Sequence, residues 1–560
     1  MTDTAQHTHR QRTSAYDAFR SARDLLLTHR ADHETAHARF RWPRPSHFNW
    51  ALDWFDVIAH GSTRHALEIL QPDGTSDDMS YAELSRESDR TARWLREQGI
   101  LRGHRVLLAL DSRRELWECL LACLKIGAVV VPTYTTLTQA EASDRFHRGH
   151  ITHVITEDEL TPLFPRTGPG RRIALPGNAT GWTPYHHRSD APPEFEPEAP
   201  TPASDLAFCY FTSGTTSAPR LVAHTHASYP IGHLSSLYFN GLLPGDRHMN
   251  ISAPGWAKHS WSSFFVPFTA EATVVVAPAG PTDPEALPAT LRDRKIDTFC
   301  APPSTWHALL PHLHTARPAL REAVSAGEPL TESVIERFSA AWGIDIRDGY
   351  GQTETTALIG TTPGMRRAPG RLGKPLPGYR IVLRGPDGTP GDHGEICLDL
   401  ATRPVGLMVG YLAEDDSIAR FSAEDGLHST GDIAERGADG RLRILGRVDD
   451  VFKCFDHRIS PYELEAVIKS HEAVAEAAVI PRPHPVGGHT PHAVVVLRPG
   501  HAAVDTTADV LLRYSADRIG PELCPRSVSF AAALPLTASG KVRRSALTAA
   551  PDGFSAVGPG

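Results

Sequence analysis

Apolar and polar positions alternate along this chain in two rhythms that keep changing places. "YDAFRSARDLLLTHR" and "YAELSRESDRTARWLREQGI" space their apolar residues three and four apart, which predicts amphipathic helices, the second ending at Gly99. Between and after them lie short unbroken apolar runs, "HRVLLAL", "VVVP", "THVIT", "LAFCYF", "ATVVVAP" and "IDTFC", which predict strands buried on both faces. "ELWECLLACLKIGA" predicts a buried helix, and residues 331 to 342 another. Strand and helix in alternation predict an α/β fold with parallel sheets. Beyond residue 370 the rhythm becomes β-rich and Gly-punctuated ("GYRIVLRGPDGTPGDHGEICLDL"), which predicts a small barrel-like lobe or a separate sheet. The last stretch predicts a compact α+β module with helices at 461 to 471 and near 506 to 519, and strands at "AEAAVI" and "HAVVVLRP". "HRSDAPPEFEPEAPTPASD" is rich in proline and acid and predicts a surface loop between lobes. Residues 1 to 45 are expected to form a frayed arm that docks on the body.

Length and composition narrow this picture. A chain of 560 residues exceeds what one core can organise, so several domains are expected. A net charge of -8 gives no footprint for a nucleic-acid partner. No apolar run reaches the roughly 18 residues a membrane span needs. The opening "MTDTAQHTHRQR" lacks the apolar core of a signal peptide, so a cytoplasmic location is expected. Seven scattered cysteines without a CxxC pair argue against a disulfide framework or a zinc site, and Cys119 and Cys123 read as core residues. The thirty histidines are dispersed and read as surface residues, with "HPVGGHTPH" in a Pro/Gly loop. Only seven lysines stand against fifty arginines, so a lysine in a polar loop draws notice.

Four segments carry candidate chemistry. "YFTSGTTSAPR" sets Thr212, Ser213, Gly214, Thr215, Thr216 and Ser217 after an apolar strand, with Arg220 close behind. Small hydroxyl residues and glycine let N–H and O–H groups converge on phosphate. "RDGYGQTETTAL" joins Asp348, Gly349, Tyr350, Gly351 and Gln352 to Thr353 and Glu354. There a ring suits stacking on a base, and a carboxylate beside hydroxyls suits Mg²⁺. "STGD" offers Asp432 as an acceptor for ribose hydroxyls, and "LPLTASGKVRR" places Lys541 in a Ser-Gly loop. Each segment alone also reads as an ordinary turn or linker.

Taken together, in this order and spacing, the segments resemble the adenylate-forming superfamily of acyl-CoA synthetases, luciferases and peptide-synthetase adenylation domains. The likeness runs from about residue 45 to 548. "FNWALDWFDVIA", "CYFTSGTT" and "GRVDDVFKCFDHRISPYELE" are most similar to the medium-chain and aryl acyl-CoA synthetases. The resemblance implies a large domain over 46–446, a hinge over 447–451 with Asp449 as pivot, a small mobile domain over 452–548 and a tail over 549–560. It implies ATP and Mg²⁺, a small acid or anion as substrate, and a nucleophilic acceptor. Thr212 to Ser217 would hold the β- and γ-phosphates, with Arg220 in place of the usual lysine. Tyr350 would flank adenine beside Gly327, Glu328 and Pro329, and Thr353 would meet the α-phosphate. Glu354 would hold Mg²⁺, Asp432 and Arg447 the ribose, and Lys541 would bridge substrate and α-phosphate. The acid pocket would lie at "SAPGWAKHSWSSFFVPF", with Trp256, Lys258, His259 and Trp261, and Phe264 and Phe265 nearby.

Three positions depart from the family pattern: Ser217 stands for a usual glycine and Arg220 for a usual lysine, neither of which should abolish ATP binding, and the third is the more serious. Asp456, beside a buried-looking Phe455, stands where the family has a glycine lining the pantetheine tunnel. A carboxylate there adds bulk and repels a thiolate. Adenylation is therefore expected, while CoA as acceptor is in doubt. The alternatives are an amide-forming ligase, or a diazotase that activates nitrite and nitrosates an arylamine in bacterial secondary metabolism. A nucleotide-sensing relic is disfavoured by Glu354, Asp432 and Lys541.

Overall fold

In the computed structural model the described residues are 12–166, 170–212, 219–277, 283–328, 330–419, 426–455, 457–536, 542–549 and 555–557. Pro329, Asp456, Lys541 and the run Ser213, Gly214, Thr215, Thr216 and Ser217 lie outside them. Two nine-stranded sheets dominate the chain as far as residue 447. In one, the strands His65–Leu70, Thr273–Val276, Arg247–Asn250, Thr298–Ala301, Glu322–Ala326 and Ile346–Gln352 run parallel and side by side. In the other, Leu206–Phe211, Val129–Pro132, Arg105–Ala109, His153–Glu157 and Arg172–Leu175 form the parallel centre. Strands such as Val129–Pro132 and Thr298–Ala301 are buried at every residue, which is why they read as unbroken apolar runs.

The helices begin and end where local chemistry dictates. Ser80 and Glu83 form a reciprocal cap that starts Tyr81–Glu97, and Thr138 with Glu141 does the same for Gln139–Arg148. Arg114–Ile126 stops at Gly127, whose φ of 81° suits glycine. Cys119 and Cys123 on this helix are core residues, and all seven cysteines are buried thiols.

The β-rich lobe is an antiparallel sheet in the order Pro390–Gly391, Ile381–Arg384, His393–Asp399, Leu427–Arg436 and Leu442–Arg447. A further sheet follows, holding Phe452–Cys454, Gly488–Leu497 and Ser527–Phe530, with the helices Pro461–Lys469 and Asp505–Ile519. No helix among the described residues is long and apolar enough to cross a membrane.

Four expectations change. From residue 12 the N-terminal segment is a built layer: the helix Ser14–Thr28 buries Phe19 completely, and Arg23 donates to the carbonyls of Thr269 and Ala270. "HPVGGHTPH" is no open loop: it runs from the end of the strand Val474–His484 through a short turn into the paired strand Gly488–Leu497. His153, His224, His226, His233, His248, His259, His428 and His492 are buried, because dispersal along a sequence says nothing about position in a fold. Phe455 is 44% exposed, with φ 51°, its ring lying against His484 and over Gly487.

Candidate active site

Parallel sheets bind ligands beyond the carboxyl ends of their strands, and Asp348 to Glu354 lie at that end of the strand Ile346–Gln352. Ile346–Gln352 turns back antiparallel into Thr356–Gly360 through a bulge at Tyr350 and Gly351. A Cβ on Gly349 would meet the Phe239 ring at 2.4 Å, and one on Gly351 would meet the Thr356 carbonyl oxygen at 2.1 Å. Only glycine fits this hairpin at both places.

Asp432 sits opposite Arg447 on adjacent antiparallel strands and is buried. Its Oδ2 accepts from the Tyr350 hydroxyl at 2.6 Å and from Gln352 Nε2 at 2.7 Å, and Arg447 Nη1 lies 3.3 Å away. Burial and the neighbouring carboxylate push the Tyr350 phenol far above its usual range, so it remains a donor. The ring expected to flank adenine is thus tied by its hydroxyl to the acid expected to hold ribose. Arg447 also donates to the Thr430 carbonyl at 3.2 Å and reaches Asp449 at 3.6 Å.

Thr353 and Glu354 follow in the turn. His224, fully buried, bonds the Thr353 carbonyl through Nε2 at 2.7 Å and faces Ser228 Oγ through Nδ1 at 2.9 Å. Burial holds its pKa at about 4, so the ring is neutral with the proton on Nε2. Glu354 Oε1 accepts from the Tyr411 hydroxyl at 3.0 Å, and its main-chain carbonyl accepts from Met408 N at 2.8 Å. Tyr411 is held at about 12 by burial and by the Glu354 carboxylate. The Arg220 guanidinium lies 5.1 Å from the Tyr411 ring centre. A carboxylate fixed in this way is the hard oxygen donor Mg²⁺ prefers.

Arg220 pairs with Thr212. Thr212 N donates to the Arg220 carbonyl at 2.9 Å, and Arg220 N donates to Thr212 Oγ1 at 3.2 Å. Tyr411 and His224 were not singled out from the sequence. Tyr411 reaches the site because Gly410–Leu412 pairs with Leu221–Thr225 nearly two hundred residues earlier in the chain, and no local pattern announces that.

The acid-pocket residues divide. Lys258 Nζ donates to the Ala326 carbonyl at 3.1 Å, just before Gly327, and so lies against the site. Burial lowers its pKa while Cys300, Asp348 and Glu328 oppose the shift. Asp348 accepts from Gly349 N at 2.9 Å and Leu330 N at 3.3 Å, bracing the segment that holds Gly327 and Glu328. Burial pushes Asp348 up to about 7 against those two bonds and the Lys258 charge. Trp256, half-buried, stacks on Tyr134 at 4.9 Å, and Trp261 is half-buried. His259 is instead a core residue packed on Trp117, held neutral at about 3 by burial. Phe264 and Phe265 are core as well.

Tyr350, Gln352, Asp432 and Arg447 form one hydrogen-bonded knot beside the braced carboxylate of Glu354, and likeness to known proteins makes the chain an AMP-forming, ATP-dependent ligase of the acyl-CoA synthetase kind. The chain belongs to the AMP-binding enzyme family, whose model matches residues 57–412, and the model of the AMP-binding enzyme C-terminal domain matches residues 463–541. It is 36% identical over 511 residues to the 4-hydroxybutyrate–CoA ligase 1 of Metallosphaera sedula, covering 89% of each chain. It is 31% identical to the human mitochondrial acyl-coenzyme A synthetase ACSM3, covering 92% of each. A benzoate CoA ligase from Burkholderia xenovorans LB400 has the same fold, with a TM-score of 0.76 and 26% identity over 89% of this chain and 99% of that one.

Proposed function

We propose that the enzyme activates a small medium-chain or aryl carboxylic acid with MgATP, releases pyrophosphate, and passes the acyl group to CoA. The observation that carries this reading is the fixed relation of Glu354, braced by Tyr411, to the Asp432 knot. Asp432 and Arg447 would orient the ribose, and Tyr350 the base. Glu354 would hold Mg²⁺, which supplies charge neutralisation at the phosphates when bound. The substrate carboxylate attacks the α-phosphorus, the bond to the bridging oxygen breaks, and pyrophosphate leaves with that electron pair. Thr353 and Lys541 would meet the charge that grows on the α-phosphate and the attacking oxygen, so the protein acts by positioning and electrostatics. Trp256 and Trp261 would shape the acid slot, with Lys258 at its rim. A relative named for 4-hydroxybutyrate and a fold shared with a benzoate ligase support small acids of both kinds. A cytoplasmic setting suits these substrates.

Asp456 favours a second reading, in which a nitrogen nucleophile takes the activated group without CoA. One experiment separates the two. The protein is incubated with ATP and butyrate, 4-hydroxybutyrate, benzoate or nitrite plus an aminobenzoate, with and without CoA, and AMP and products are followed by mass. A CoA-dependent thioester is expected. An amide or diazonium product formed without CoA would replace the first reading with the second.

A further inference from the structure

The hairpin that carries Glu354 closes on a residue whose backbone does not suit its side chain. Ile346–Gln352 and Thr356–Gly360 pair Gln352 with Thr356 across the three residues Thr353, Glu354 and Thr355. Thr356 has a φ of 61°, in the left-handed region. Three-residue hairpin loops do end on such a residue, and glycine is its usual occupant. A β-branched side chain there is strained and persists only where its surroundings hold it. Here the hydroxyl is held. Thr356 Oγ1 donates to the Gly232 carbonyl at 3.1 Å and lies 2.8 Å from the Tyr379 hydroxyl, which itself donates to the Thr355 carbonyl. Ser235 Oγ lies 3.3 Å from Thr356 Oγ1 and donates to the Ala357 carbonyl at 2.9 Å.

Thr356 and Tyr379 are both buried, at 5% and 1% exposure, and burial pushes the Tyr379 phenol far above its usual range, so it remains a donor. Two glycines leave room for the pair of hydroxyls. A Cβ on Gly406 would run into the Tyr379 hydroxyl, and one on Gly232 would meet Gly406 Cα at 2.6 Å. The main chain of the turn is thereby fixed at three successive carbonyls. Thr353 is held by His224, Glu354 by Met408 N and Thr355 by the Tyr379 hydroxyl. The N-terminal layer seats Tyr379 from the other side. Trp42 lies edge-on to the Tyr379 ring at 5.5 Å and donates to the Gly378 carbonyl at 2.8 Å, and His37 Nε2 bonds the Tyr379 carbonyl at 3.3 Å.

We propose that Thr356 and Tyr379 are positioning residues for adenylation: their paired hydroxyls lock the left-handed exit of the turn and so aim Thr353 and Glu354 at the phosphates and the divalent ion. This rests on the reading of Glu354 as the residue that holds Mg²⁺. Glycine would take this φ without strain, so shape alone does not call for threonine, and what the strained backbone retains is the hydroxyl. A loosened turn shifts the Glu354 carboxylate while Asp432 stays on its own pair of strands, so the loss falls on the metal rather than on the sugar.

The test uses the full-length protein and the variants Thr356→Gly, Thr356→Ser, Tyr379→Phe, the double variant of the first and third, and Glu354→Gln. ATP–pyrophosphate exchange with butyrate, 4-hydroxybutyrate and benzoate is measured across a Mg²⁺ titration. ATP binding is measured by calorimetry with Mg²⁺ and with EDTA, and hydrogen exchange is followed by mass over residues 346–360; neither needs an acid. Thr356→Gly suits the backbone and is the variant least exposed to misfolding. It and Tyr379→Phe should each weaken metal-dependent ATP binding, and pyrophosphate exchange at limiting Mg²⁺, by about 10- to 100-fold, recovered in part at higher Mg²⁺. ATP affinity in EDTA should stay within about threefold, and so should every property of Thr356→Ser, which keeps the hydroxyl. The two hydroxyls act as a unit, so the double variant should lose little beyond either single one. The proposal is overturned if Thr356→Gly keeps the wild-type Mg²⁺ dependence, if Thr356→Ser falls as far as Thr356→Gly, or if the losses multiply in the double variant. Glu354→Gln separates the two ideas: if it keeps metal-dependent binding, the reading of Glu354 fails. Hydrogen exchange then decides the brace, which stands if exchange quickens in Thr356→Gly and not in Thr356→Ser, and falls if the two behave alike.

Discussion

The two domains hold their functional groups by different means. In the large domain, Asp432 and Glu354 are fixed mostly by neutral donors on neighbouring strands and turns: the hydroxyls of Tyr350 and Tyr411 and the amide of Gln352. In the small domain, the segment after Lys541 is fixed by a buried ion cluster of Arg544, Asp450 and Glu465. Hydroxyl and amide braces leave the carboxylate its charge and its attraction for sugar or metal. An ion cluster spends its charges on one another and serves geometry alone.

That contrast breaks most visibly at Glu354. Glu354→Gln should lower pyrophosphate exchange by about 10³-fold with little change in melting temperature, since it removes the charge proposed to hold Mg²⁺ and keeps the shape. Asp432→Ala should raise the KM for ATP by about 10- to 100-fold, the value of one hydrogen bond to a charged group, read from initial rates. Tyr411→Phe removes only the brace on Glu354 and should cost about tenfold in activity, recovered in part at higher Mg²⁺. In the small domain, Asp456→Gly should raise thioester formation several-fold, about one order of magnitude at most, and leave pyrophosphate exchange as it is.

The smallest effect is a pH dependence. The folded-state pKa of Asp348 is raised to about 7, so the folded protein holds that proton more tightly than the unfolded chain does. This contribution is fully present below the unfolded value near 4 and is lost as pH rises through about 7. Asp348→Asn should therefore flatten the fall in stability between pH 5 and 8, an effect on the order of 1 kcal/mol, measured by urea unfolding across that range.

Much of the fold was legible because parallel strands buried on both faces leave unbroken apolar runs, as at Val129–Pro132. The motif residues could be located one by one for the same local reason: Tyr350, Gln352 and Glu354 share one short turn. What joins them is not local. Tyr411 reaches Glu354 through a strand pairing with residues near 222, and His224 reaches Thr353 from across the site. His259 looked like a pocket residue because it follows Lys258, yet the short helix Ala257–Ser260 turns it into the core. Phe455 misled in the opposite direction: an aromatic residue between polar neighbours reads as buried, and its left-handed φ of 51° points it outward.

Acid-dependent ATP–pyrophosphate exchange, run with butyrate, 4-hydroxybutyrate and benzoate on the wild type and on Glu354→Gln, tests the central claim most directly. The account predicts exchange that requires an acid, proceeds without CoA, and nearly vanishes in the variant. Exchange with none of these acids, or exchange undiminished in Glu354→Gln, would contradict it.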